Sequence, residues 1–367
     1  MKNDFPHLFN NKLSTSQLAH ELLNSYKKLP NHFHPIWKNK ECKITVTDII
    51  GNPKDFLFKP KKSESILHEL GLAYFADNQS GKLGIPGGKR SYSLRGDLIK
   101  LERALARWTL KRLINEFNFT PIVIPNLINS DIIRACGFEP HGLRTQVYSF
   151  SGSPNTCLAG TGEMPLASLH IGECFPSDDI LPKRYCALSR CYRAEAKSSG
   201  EMSGLYRVHY FDKVEMFGIV EETESDKLLE EFVTIQRTLF TDLGLHFRIV
   251  DMPPNELGPP AYRKFDMEAY MPGRDYWGEI SSASNCTDYQ AKRLNIKYKK
   301  FYFDDNNGDI LDVHTKYVHT INGTACAIPR MIISIVEQNQ TKDGRVIIPE
   351  VLRPMIGCHE LRPFERK

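Results

Sequence analysis

Apolar positions recur at three- and four-residue intervals most strongly over "DLIKLERALARWTLKRLINEF". There Leu98, Leu101, Leu105, Trp108 and Leu113 fall on one side of a helix, with Asp97 as its N-cap. The same spacing predicts a short helix over 14–28, with Leu18, Leu22 and Leu23 on one side and Pro30 and Pro35 ending it. Further helices are expected over 64–70, 164–170 and 225–243, and a last one over 328–340. Strand-like patterns occupy "TPIVIPNLI", 144–150, 156–158, 246–251, 264–270 and 276–282, and a long hairpin flanks "AKSSGEMSGLY". Residues 36–90 alternate short apolar runs with Gly, Pro and Lys, and "GKLGIPGGKR" reads as a loop. Helices gathered around hairpin-linked strands predict an α+β fold, a mainly antiparallel sheet flanked by helices. The regular strand–helix alternation of a doubly wound parallel sheet is missing.

Composition narrows this only a little. The 367 residues are 41% hydrophobic and 25% charged, ordinary for a globular chain, and the formal charge of +4 permits a nucleic-acid partner without demanding one. Nine cysteines are scattered singly with no CxxC pair, which predicts reduced thiols and no structural zinc. No apolar run reaches 18 residues, so no membrane span is expected. The first thirty residues contain no arginine and include Asp4 and Glu21, unlike a secretory signal or a transit peptide.

Candidate chemistry concentrates in "RCYRAEAKSSGEMSGLYRVHYFDKVEMF", 190–217. Read as two strands with period two, Arg193 and Glu195 share a face, as do Arg207, His209, Phe211, Lys213 and Glu215; Val208 points the other way. A ladder of solvent-facing ion pairs would account for the charges but not for Phe211 in mid-row or for so long a loop. Forked arginines, a ring and carboxylates suit a ligand with phosphates, a flat base and an ammonium, such as ATP with an amino acid. The "GIPGGKR" stretch has Leu83 and Arg90 where a phosphate loop needs Gly and Ser/Thr, so nucleotide binding falls to the sheet. Three other stretches could converge there. "AGTGEMPL" sets Thr161 and Glu163 before a helix, either as a cap or as ligands. In "YWGEISSASNCTDYQAKR", Glu279 and Ser282 offer oxygens of the kind Mg²⁺ takes, unless this is only a polar turn. In "NGTACAIPR", Arg330 opens a helix, a place where positive charge is slightly disfavoured.

These blocks in this order resemble class II aminoacyl-tRNA synthetases. The 190–217 stretch resembles motif 2, "NGTACAIPR" motif 3, and helix 98–117 with "FTPIVIPNLI" and Pro125 the dimer-forming motif 1. With "TGE", "GEISSASNCTDYQAKR" and "IPEVLRPM", the set looks like the seryl-tRNA synthetases, and "CLAGTGEMPLA" and "GLHFRIVDMPPNELGPPAYRKFDMEAYMPGR" like their mitochondrial branch. The resemblance implies a homodimer that activates L-serine with ATP and Mg²⁺ and charges tRNA(Ser) at its acceptor end, in the mitochondrial matrix or otherwise the cytoplasm. It implies Arg193, Glu195, Arg207 and Arg330 as catalytic residues. ATP contacts would come from these four with Val208, Phe211, Glu279 and Ser282, and Mg²⁺ ligands from Glu279 and Ser282. Thr161, Gly162, Glu163, Arg193, Glu215, Asn322 and Thr324 would form the serine pocket. Gly162 stands where the family usually has alanine, which is expected to loosen the pocket slightly. Residues 1–35 are expected to be a remnant of the family's helical tRNA-binding arm, 36–96 a connecting region and 97–367 the catalytic core. Without the arm, the alternatives are a serine-activating ligase for another acceptor or a non-catalytic partner protein.

Overall fold

Alternating side chains along "DKVEMFGIV" pack helices on both faces of a sheet and leave a cleft at one end of one face. The computed structural model describes residues 21–22, 25–26, 28–75, 90–142, 145–195, 204–304 and 309–364. Its main sheet has eight strands: β1 (Thr45–Ile50), β2 (Thr120–Pro121), β3 (Lys183–Tyr192), β4 (Tyr210–Val220), β5 (Phe247–Asp251), β6 (Arg263–Met271), β7 (Tyr276–Asn285) and β8 (His319–Ala327). They lie in the order β1-β5-β6-β7-β8-β4-β3-β2, antiparallel throughout except for β2 beside β3. The expected α+β architecture is the observed one. The helices that matter here are α1 (Ser63–Glu69), α2 (Asp97–Asn115), α3 (Glu163–Ser168), α4 (Ser225–Asp242), α5 (Tyr289–Leu294) and α6 (Ile328–Gln338).

Val214 and Met216 of β4 join a core with Leu98, Leu101, Leu105, Trp108 and Leu113 of α2, Phe232 of α4 and Ile332 of α6. Phe217 and Ile219 point the other way, against Met164 and Leu166 of α3 and Leu294 of α5. Further along that second face come Glu215, Lys213 and Phe211, so apolar packing gives way to charge at one end of the sheet.

Several expectations need correction. Asp97 is not the N-cap of α2: Gly96 holds that position, and the buried Asp97 pairs with Arg362 and Lys100 instead. "TPIVIPNLI" is no continuous strand, since only Thr120–Pro121 and Leu127–Asn129 pair. Strand β8 takes in "NGTACA", where small residues were expected simply to lead into a helix. Two further strands, Lys297–Phe303 and Ile310–Tyr317, form a separate hairpin, and Arg353–Ile356 adds a short helix beyond α6. Within 36–96, β1 is an edge strand of the main sheet, and Ile66 and Leu67 of α1 are core residues. Most of the 14–28 helix, "GKLGIPGG", Arg144 and loop residues 196–203 lie outside the described residues.

Candidate active site

The ladder between β3 and β4 runs from Lys183 opposite Ile219 to Tyr192 opposite Tyr210 and ends there. Arg193, Glu195, Arg207 and His209 therefore sit beyond the paired strands, and Glu195 has φ +48°. Period-two alternation does not place these side chains. They converge nevertheless. Arg193 Nε donates to Gly160 O at 3.3 Å, and its guanidinium lies 5.2 Å from the Phe211 ring centre. Arg207 Nη1 donates to Glu195 Oε2 at 3.0 Å, and Arg90 approaches the same carboxylate to 3.6 Å.

The opposite wall comes from β7 and α6. A bulge in the β6–β7 pairing, where Met267 faces Ser281 and Glu268 faces Glu279, brings Glu279 and Ser282 to one cleft despite their odd spacing. Pro329 opens α6, and Arg330 reaches back, Nη1 to Glu279 Oε2 at 3.0 Å and Nε to Tyr206 O at 3.2 Å. Its guanidinium lies 4.5 Å from the Tyr206 ring centre. Burial alone would raise the Glu279 carboxyl, but Arg330, Lys264 and Arg193 outweigh it and hold the group below its ordinary value. Asp266, tied to Lys264 at 2.9 Å, goes the other way: burial and then Glu279 push it up to about 7. The space between the walls, counting the part open to solvent, is about 580 Å³.

Its floor continues into a buried polar chamber. Thr161 Oγ1 donates to Glu215 Oε2 at 2.8 Å, Thr324 Oγ1 to Glu215 Oε1 at 3.3 Å, and Lys213 Nζ to Thr161 Oγ1 at 2.9 Å while pairing with Glu215. The Thr324 bond depends on a second bulge, where Val214 faces Cys326 and Glu215 faces Thr324. Behind them, Glu163 Oε1 accepts from Gln290 Nε2 at 2.6 Å and Asn322 Nδ2 at 2.9 Å. Burial and then the neighbouring Glu215 push Glu163 up to about 7.

Arg193, Glu195, Arg207, Val208, Phe211, Glu279, Ser282, Thr324 and Arg330 line the cleft, and Thr161, Glu163, Glu215 and Asn322 lie just behind it in the chamber. Sequence reasoning missed Tyr206, Lys264, Asp266 and Gln290 and gave Lys213 no role. The period-two row containing Lys213 was the one available signal, because the others depend on partners distant in sequence.

Known proteins share the sequence and fold that carry this site. The model of the tRNA synthetase class II core domain (G, H, P, S and T) matches residues 148–339. The serine–tRNA ligase of Treponema denticola is 40% identical over 342 residues, covering 92% of this chain and 76% of that one. The chain belongs to the seryl-tRNA synthetase family. The mitochondrial serine–tRNA ligase of Mus musculus is also 40% identical, over 94% of this chain, and the chain spans 64% of that relative's length. A seryl-tRNA synthetase from Pyrococcus horikoshii, solved in complex with ATP, superposes with a TM-score of 0.84 at 32% identity, covering 95% of this chain and 79% of that one.

Within this seryl-tRNA synthetase core, the block resembling motif 2 spans β3, β4 and the turns beyond them, and the block resembling motif 3 spans β8 and α6. Gly162 departs from the family pattern for a visible reason. A Cβ there would lie 2.8 Å from Ser189 Oγ, 3.1 Å from Ser189 Cβ and 3.2 Å from Glu215 Cβ. Glycine lets the segment carrying Thr161 and Glu163 sit flush on β3 and β4, so it tightens the chamber. This close fit speaks against the loosening expected from backbone freedom alone.

Proposed function

We propose that the chain activates L-serine with ATP to seryl-adenylate and transfers the seryl group to the terminal ribose of tRNA(Ser). The observation that carries this reading is the joined pair of sites: an arginine-walled cleft opening onto a chamber whose Glu215, Glu163, Thr161 and Thr324 suit an ammonium and a hydroxyl. ATP would lie in the cleft with its base between Phe211 and Arg330, its amine at Glu195, its α-phosphate at Arg193 and its γ-phosphate at Arg207. Serine would lie with its ammonium near Thr161 and Glu163.

A serine carboxylate oxygen attacks the α-phosphorus, and the bond to the pyrophosphate oxygen breaks. Arg193 and Arg207 stabilise the charge that develops, being fixed in place before the reaction. Glu279 and Ser282 fit a Mg²⁺ ion, because the first is kept ionised and both face the cleft; such an ion would neutralise phosphate charge there. Alanine would leave the buried acceptors for the serine hydroxyl unpaired, so rejection by ~10⁴-fold is within reach of such a site.

The mouse relative supports a place in mitochondrial translation. Val123, fully exposed in the segment after α2, supports a homodimer formed through 120–129. Among the described residues no helix is long and apolar enough to cross a membrane. The test is exchange of pyrophosphate into ATP with serine, alanine and threonine supplied separately. Exchange with serine alone is the expected result; its absence from folded protein would leave a non-catalytic partner as the better reading.

A further inference from the structure

The exposed side of α2 carries Lys100, Arg103, Arg107 and Lys111, all within one narrow stripe because they step by three or four residues. The stripe runs ~16 Å along the helix, and 103, 107 and 111 are separated by about 6 Å each, the order of the distance between neighbouring phosphates on a nucleic-acid strand. Arg362 extends it at the N-terminal end, where its guanidinium and Lys100 both bond Asp97. Arg103, Arg107 and Lys111 have no ion-pair partner among the described residues. The acids of the same helix do not offset them. Glu116 pairs with Arg112 at 2.5 Å. Glu102 is half-buried on another side, where burial and then Asp212 raise its carboxyl. Five cations and one anion leave a surplus equal to the formal +4 of the whole chain, so the remaining 361 residues are balanced overall.

This stripe lies away from the cleft. The buried side of α2 packs on Val214 and Met216, the face of β4 opposite Phe211, Lys213 and Glu215. We infer that the stripe is a second RNA-binding surface, which holds the phosphate backbone of an RNA while the acceptor end is handled on the other face. This inference rests on the RNA partner in the reading above. A regular row of cations, two of them forked guanidiniums, suits a polyanion of regular repeat. A membrane surface would require a run of apolar side chains beside the charges, and here Ile114 and Phe364 stand singly at opposite ends of the stripe. An acidic protein would require an apolar centre to the patch, which is also missing.

The test is binding of a labelled tRNA(Ser) transcript to the full chain across a salt series. The triple variant Arg103→Gln, Arg107→Gln, Lys111→Gln is compared with Lys38→Gln, Lys59→Gln, Lys62→Gln, which loses the same charge elsewhere. Each phosphate contact contributes roughly 0.7–0.9 to the slope of log affinity against log salt. The stripe variant should therefore bind about tenfold or more weakly, with a slope shallower by about 2, and the control variant should match the parent. Equal effects in both variants, or none in either, would overturn the inference, as would tighter binding of poly-glutamate or phosphatidylserine vesicles than of RNA. Serine-dependent exchange without RNA should be identical in all three proteins. If it is absent from all, the proposed activity fails, while the binding comparison still decides the stripe.

Discussion

Gly162 shows how little room the chamber leaves at a single position. A methyl group there must displace Ser189 or Glu215, and overpacking of this kind costs about 1–3 kcal/mol. Gly162→Ala should raise the KM for serine about tenfold or more and change the KM for ATP much less, as steady-state exchange kinetics would show. Glu163 gives a pH prediction. Its carboxyl is raised from 4.5 to about 7 in the folded chain, so its neutral form is the one the fold favours. That contribution, about 3 kcal/mol at most, is fully present below pH 4.5 and lost as pH rises through about 7. Thermal unfolding of the ligand-free protein should thus show a fall in Tm over this window that Glu163→Gln makes smaller, the raised Asp266 contributing the rest. Serine, bringing an ammonium to the ionised group, should raise Tm more at pH 8 than at pH 6.

At the scale of elements, the site depends on how α4 grips the two bulged strands. Gln236 of α4 is fully buried, and its Nε2 lies 2.9 Å from Ser281 Oγ, 2.8 Å from Ser282 O and 3.0 Å from Thr324 O. Those are the segments that bring Ser282 and Thr324 to the cleft. Gln236→Leu would remove the donor shared by Ser282 O and Thr324 O, the second of which Ser281 Oγ still reaches, and should destabilise the protein by about 1–3 kcal/mol, measurable by denaturant unfolding. The same helix explains why β8 escaped recognition. A Cβ on Gly323 would meet Phe232 of α4 at 3.0 Å and Met216 at 3.2 Å, so "NGTACA" must be small and cannot show the branched, alternating signature of a strand. Strand β1 was missed for the opposite reason: it is a largely exposed edge with β5 as its only neighbour among the described residues, so burial leaves little pattern in it. The base of the motif 2 loop is fixed in a comparable way. Gly204, at φ +71°, lies directly against the Glu64 carboxylate of α1, which Arg274 holds in turn.

For the whole molecule, the main sheet has helices α2 and α6 packed on one face and the candidate cleft at one end of the other. The segment after α2 remains uncovered, with Val123 fully exposed and Leu127 half-exposed. If two copies bury this segment against each other, Val123→Asp puts an unpaired charge into the interface, which costs several kcal/mol. Size-exclusion with light scattering should then show a dimer for the parent and a monomer for the variant.

The sequence by itself determined the long helices and the chemical identity of the site. Helical periodicity is local, and the residues proposed to recognise phosphate, base and ammonium are distinctive in type and order. Tertiary structure alone decided where those residues point. Arg193, Glu195 and Arg207 lie beyond the ladder that period two describes, and bulges at Ile280 and Ala325 set the facing of Glu279, Ser282 and Thr324. The close fit around Gly162 and the raised pKa of Glu163 were decided there too. Both depend on side chains 27 to 159 positions away, and neither local propensity nor spacing encodes such contacts.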